Sequence, residues 1–159
     1  MATYRRLLPA DAAITSALWN RTTVQNSLKN MGYPGVELED WAFSIASPRT
    51  RIFGAFDNSG TLRGVVEFIL HRTEREGHMG RWFLDPSLSL ANIRTHRDAV
   101  LLALWNFLPD DWKVYITFVV PGAVRLREYC DTRFPFIDRD ETGWGTVRHY
   151  GPLTALALR

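Results

Sequence analysis

The chain has 159 residues, room for one domain with a sizeable core. Nineteen Lys and Arg against 17 Asp and Glu leave a net charge of +2, and the arginines are dispersed, so the totals give no electrostatic reason to expect nucleic acid; only a basic stripe formed in three dimensions would. A single cysteine, Cys130, excludes a disulfide framework, and no apolar run approaches the ~20 residues of a membrane span.

Thr3–Pro9 (TYRRLLP) reads as a short strand ended by Pro9, and residues 11–28 as a helix with Asp11 as N-cap and Ile14, Ala17, Leu18 and Leu28 on one face. MGYPG (31–35) is a breaker, and ELEDWAFSIA (37–46) a second helix stopped before Pro48. The period then changes. RIFGAF (51–56), LRGVVEFILHR (62–72) and HMGRWFL (78–84) are strands joined by the turns DNSG and TEREG, which makes an antiparallel meander. After the loop DPSLSLAN (85–92) comes the strongest amphipathic helix, THRDAVLLALWNFL (95–108), with Leu101, Leu104, Trp105 and Leu108 on one face. KVYITFVV (113–120) has the nearly continuous apolar run of a buried central strand. Pro121-Gly122 opens a last helix over 123–134, and two closing strands follow, FPFIDRD and Thr146–Leu158.

The order β-α-α-β-β-β-α-β-α-β-β predicts a single α/β (α+β) domain over residues 1–159 with a mixed sheet. The meander rules out a doubly wound parallel sheet. The strand–helix–strand unit of residues 78–120 is expected to be a crossover between parallel strands. MATYRRLLPADAA has no apolar stretch of the signal-peptide kind, so the expected setting is the cytoplasm, without a membrane.

Several stretches, in this order, resemble the GCN5-related N-acetyltransferase (GNAT) family along essentially the whole chain. YRRLLPADAAITSALW is similar to the family's first strand and helix, and DNSGTLRGVV to its second hairpin, with Gly64 early in the third strand. VVPGAVRLREYCDTRF is similar to its "Asn-x-x-Ala-x-x-Leu-Tyr-x-x-x-Gly-Phe", with Tyr129 and Phe134 matching and Gly122, Arg125 and Arg133 departing. The chain also looks like the small, divergent GNAT-like proteins of tailed phages, which would put it in a bacterial host's cytoplasm.

The resemblance implies a site. The family's cofactor signature, Arg/Gln-x-x-Gly-x-Gly/Ala, is matched best by Arg94-Thr95-His96-Arg97-Asp98-Ala99, with Arg97 in place of the central glycine. A helix start with open N–H groups suits a pyrophosphate, and a glycine there lets the backbone come close. Pro86 lies eight residues before Arg94, so against the family's pattern the loop is expected to be lengthened, with two leucines able to cross the pantetheine path. Acetyl-CoA is the implied co-substrate. The implied oxyanion donor is a backbone N–H of the fourth strand within Trp82–Leu84, so Phe83 and Leu84 border the thioester.

Tyr129 matches the family's acid, although a tyrosine at that helical position equally packs its ring in the core. The family often places its base, a Glu, on the fourth strand, and HMGRWFL carries no carboxylate. Glu67 within VVEFIL is one candidate base, either part-buried with a raised pKa or turned to solvent, and His78 is another. Trp144, Arg148 and Tyr150 are expected on the acceptor side of a closing hairpin. No histidine spacing fits a metal site. Two function classes follow. One is an acetyltransferase taking a CoA thioester and an amine acceptor. The other is a GNAT-fold binding or structural module acting on a protein partner. The aromatic content leaves room for a homodimer.

Overall fold

A computed structural model of the chain describes residues 3–30, 38–120, 124–142 and 145–159. The strands are β1 (Thr3–Arg6), β2 (Thr50–Phe56), β3 (Leu62–His71), β4 (Glu76–Leu84), β5 (Lys113–Val120), β6 (Phe136–Thr142) and β7 (Gly145–Thr154). They form one mixed sheet in the order β1-β2-β3-β4-β5-β7-β6. β4 and β5 are parallel; every other neighbouring pair is antiparallel.

The turn chemistry fixes the meander. Asp57 Oδ1 accepts hydrogen bonds from the backbone N–H groups of Ser59 (2.9 Å) and Thr61 (3.0 Å), and Gly60 takes φ +80°. Asp57 therefore folds its own turn, and glycine supplies the conformation that side chains resist.

Alternation along the strands divides the core into two layers. Val66, Phe68 and Met79 join α4 (Leu90–Phe107), α5 (Val124–Arg133), Ile116 and Phe118 on one face. Val65 and Phe83 join the other layer, which packs α1 (Ala12–Trp19), α2 (Thr22–Asn30) and α3 (Ala42–Ala46) around Leu18, Trp19 and Trp41. Gly77 exists for the first layer: a Cβ there would lie 2.0 Å from Phe68 Cε1.

Four boundaries differ from the sequence reading. The helix over 11–28 breaks in two at Asn20, whose side chain exchanges two 3.0 Å hydrogen bonds with the backbone of Glu39. Asn20 thus serves as a tie between segments instead of continuing the helix. The helix over 37–46 contracts to α3, which starts where Asp40 Oδ1 accepts from Ala42 N–H at 3.0 Å. The closing strand stops at Thr154, which caps α6 (Ala155–Leu158). Finally, α4 starts at Ser89 and not at Thr95: Ser89 Oγ accepts from Asn92 N–H (3.3 Å), and Ile93 N–H bonds the Ser89 carbonyl (2.9 Å). The breaker at 31–35, Gly122 and Trp144 lie outside the described residues.

Candidate active site

The sheet opens between its two parallel strands. Among the described residues, the β4–β5 ladder joins Glu76–His78 only to Lys113–Tyr115, while β4 runs on to Leu84 and β5 to Val120. β4 also carries an extra residue. Val66 pairs with Trp82 but Phe68 with Met79, so Glu67 faces a bulge at Gly80 and Arg81. A bulge bends its strand and breaks the pairing there. The outcome is a cleft of about 390 Å³ between the strands, lined on its β4 wall by Met79, Gly80, Trp82, Phe83 and Leu84. Thr117 and Phe118 form the β5 wall, Val24 and Leu28 of α2 close one side, and Ile93, Arg97, Arg125 and Leu126 close the other.

The mouth beside Asp85 and Pro86 is held rigidly. Asp85, 1% exposed, accepts from Arg21 (2.9 Å), Arg63 (3.0 Å) and the hydroxyl and N–H of Ser87 (2.7 and 3.0 Å). Burial alone would raise its pKa; the bonds from Ser87 and Arg63 and the charge of Arg21 outweigh that and hold it below the usual carboxylate value. Asp85 thus answers two cations, while Arg97 and Arg125 bring positive charge to the cleft.

The start of α4 at Ser89 sets where the expected cofactor residues lie. Residues 94–99 lie in the second and third turns, where the helix N–H groups are already used. Arg94 is exposed; Thr95 Oγ1 bonds the Ala91 carbonyl (3.0 Å), and its own carbonyl accepts from Tyr4 (3.2 Å). His96 is buried with its ring edge toward Tyr4, and burial lowers its pKa. Asp98 points outward and Ala99 is half-buried. Of the six, Arg97 alone lines the cleft, with its guanidinium paired to Asp98 at 2.8 Å. The lengthened loop also dissolves. Leu90 opens the helix, and the cleft wall in this region is made by Ile93 and not by Leu88 or Leu90.

Glu67 is buried, 7% exposed, and faces the α1–α3 layer. Its carboxyl lies behind Gly80: a Cβ on that glycine would sit 3.4 Å from Glu67 Cδ. Arg81 Nε donates to Glu67 Oε2 at 2.6 Å, while the same guanidinium pairs with Glu39, bonds Ser44 Oγ (2.7 Å) and lies 3.9 Å over Trp41. Burial pushes Glu67 up to about 7 and lowers Arg81 to about 10. The part-buried alternative for Glu67 is therefore the geometry found.

The remaining sequence candidates are dispersed. His78 stacks on Tyr115 (4.8 Å) at the paired end of β4, with Glu76 3.5 Å away. Tyr129 lines a separate groove between α4 and α5 with Trp105 and Arg133, and burial raises its pKa. Arg148 and Tyr150, expected on the acceptor side, both face α5. Tyr150 is fully buried and donates to Asp131 Oδ1 (2.5 Å), and Arg148 bonds Tyr150 Oη (2.7 Å) and Asp131 (3.1 Å). They are a clamp between β7 and α5. The alternation instead turns His149 to the opposite face, where it meets Thr117 (3.2 Å) and Asp140 (2.9 Å).

Sequence reasoning missed Arg125, His149 and Thr117. An alternation count from the buried Phe118 outward would have found the last two.

This fold is that of the GCN5-related N-acetyltransferases. Spermidine N-acetyltransferase from Vibrio cholerae, in complex with CoA and spermine, superposes with a TM-score of 0.72 at 18% identity, covering 99% of this chain and 98% of that one. A point mutant of that enzyme gives 0.65 at 20% identity, covering 99% and 95%. The Vibrio cholerae spermidine/spermine N-acetyltransferase in complex with manganese ions gives 0.65 at 16%, covering 97% and 92%. No family model and no curated protein matches the sequence. The likeness is thus one of fold, across the whole chain.

Proposed function

We propose that the protein is an acyltransferase that moves the acetyl group of acetyl-CoA onto the amine of an acceptor. The observation that carries this reading is the cleft between β4 and β5, entered beside the start of α4 and bordered by the β4 bulge at Gly80 and Arg81. An apolar slot with cations at one side suits an acyl-pantetheine arm and its phosphates.

With α4 starting at Ser89, the signature Arg/Gln-x-x-Gly-x-Gly/Ala falls on Pro86-Ser87-Leu88-Ser89-Leu90-Ala91. Ala91 matches the last position, while Pro86 replaces the Arg/Gln and Ser89 the central glycine. The N–H groups of the first turn then face the pyrophosphate, and Arg97 and Arg125 add charge-assisted contacts. Phe83 and Leu84 border the arm. The reading of the chain as a non-catalytic binding module rests on Arg97 replacing the glycine, on a long loop and on a missing carboxylate in β4. In the new register Arg97 leaves the glycine's position and the loop before α4 is short, but Ser89 replaces that glycine and Pro86 the leading Arg/Gln. Glu67, one strand behind Gly80, stands in for the third.

In this scheme Glu67 takes the proton of the acceptor's ammonium through water, and a backbone N–H after the bulge holds the oxyanion. Tyr129 does not line the cleft, so its role is to pack α5 on α4. Polyamines are the first acceptors to try, because the Vibrio cholerae neighbour is bound to spermine. The phage origin draws support only from the sequence resemblance.

Thiol release from acetyl-CoA, followed across a panel of primary amines, tests the reading. Acceptor-dependent release is expected for at least one amine, with a Glu67→Gln loss of roughly 10²-fold or more. Equal rates with and without every amine would sink it.

A further inference from the structure

Across amide formation the acceptor nitrogen sheds two protons: one before it attacks, one from the tetrahedral adduct. The C–N bond forms and the C–S bond breaks, the thiolate keeps one proton, and the other leaves for solvent. Glu67 reaches the cleft only past Gly80 and is clamped by Arg81, which suits one of these transfers. The β5 wall carries a second set of groups.

Thr117 lines the cleft, and its Oγ1 lies 3.2 Å from His149 Nδ1. His149 Nε2 lies 2.9 Å from Asp140 Oδ2. A carboxylate only accepts, so Nε2 carries the imidazole proton and Nδ1 presents its lone pair to the Thr117 hydroxyl. That hydroxyl then keeps its own lone pairs for a donor in the cleft. The three groups come from β5, β7 and β6, with Thr117 directly opposite His149 in the ladder. Asp138 stands opposite His149 on β6, and Tyr115 precedes Thr117 by one alternation on β5.

We propose that Thr117, His149 and Asp140 form a proton relay on the β5 wall that accepts a proton from the acceptor nitrogen; this rests on the acyl-transfer reading above. As an N–H proton passes to Thr117 Oγ1, the hydroxyl's own proton passes to His149 Nδ1. Thr117 ends neutral and His149 ends as an imidazolium facing Asp140. The arrangement follows the nucleophile–base–orienter logic, with the hydroxyl as a conduit and no covalent intermediate.

Two measurements test the relay. In the first, kcat and the Kd of acetyl-CoA are compared for wild type, His149→Ala, Thr117→Val, Thr117→Ser and Asp140→Asn. His149→Ala is expected to lower kcat roughly 10²-fold or more with Kd unchanged, and added imidazole to restore part of it. Thr117→Val should fall in parallel and Thr117→Ser stay near wild type. Changes below twofold in an active enzyme, or no rescue by imidazole, overturn the relay and leave the acyl-transfer reading standing. A wild type that binds no acetyl-CoA and acetylates no amine overturns that reading, and the relay with it. In the second, nitrogen–proton correlation spectra of the unliganded protein report the His149 tautomer. The Nε2–H form is expected; an Nδ1–H form overturns the relay whatever the turnover.

Discussion

Glu67 is the side chain on which residue-scale chemistry turns. Its carboxyl is pushed up to about 7 by burial, so below that pH it is mostly protonated and cannot act as a base. The rate is expected to rise as pH climbs through about 7, and Glu67→Gln to remove that rise, checked by kcat against pH for the two proteins. Asp85 carries the opposite shift. A lowered pKa contributes stability above the ordinary carboxylate value, and that stability is lost as pH falls through the lower folded value. Asp85→Asn is expected to cost about 2–3 kcal/mol at neutral pH and to flatten the decline below about pH 4, both read from denaturant melts.

The sequence could nominate Glu67, because a lone carboxylate inside VVEFIL has few places to go. It could not show Arg81 clamping it, since that contact needs the β4 bulge. Arg148 and Tyr150 were one residue out of phase with the open face, and the next residue, His149, occupies it. A period of two makes a one-residue slip a change of face.

At the scale of elements, the strands and their turns were legible because turn residues and alternation agree. The start of α4 was not. Ser89 caps it, but Leu90 and Ala91 make no visible apolar stripe, so the pattern reads as helical only from Thr95. That one misplaced boundary created the lengthened loop, whereas Arg97 does line the cleft, from the second turn of α4. Arg97→Gly is expected to weaken CoA binding, by removing a cation from the cleft, and to cost about 1 kcal/mol of helix stability, read by calorimetry and melting. The expected helix over 11–28 splits for a related reason: Asn20 meets its partner Glu39 nineteen residues away, beyond any local pattern. Packing between elements makes a sharper demand at Gly77. Gly77→Ala places a methyl against the Phe68 ring and is expected to destabilise by about 1–3 kcal/mol in urea unfolding.

For the whole molecule, the sheet order, the splay of β4 from β5 and the bulge beside it together make a slot that no single motif announces. The sequence reached the fold through the order of weak signals, and the cap at Ser89 sets where α4 begins beside the slot. Whether the slot takes a CoA thioester is the central claim, and isothermal titration with acetyl-CoA and CoA tests it most directly. Binding is expected, accompanied by a rise in melting temperature that grows with ligand concentration, because a ligand of the native state must stabilise it. An absence of heat, with an unchanged melting temperature at millimolar ligand, would contradict the account.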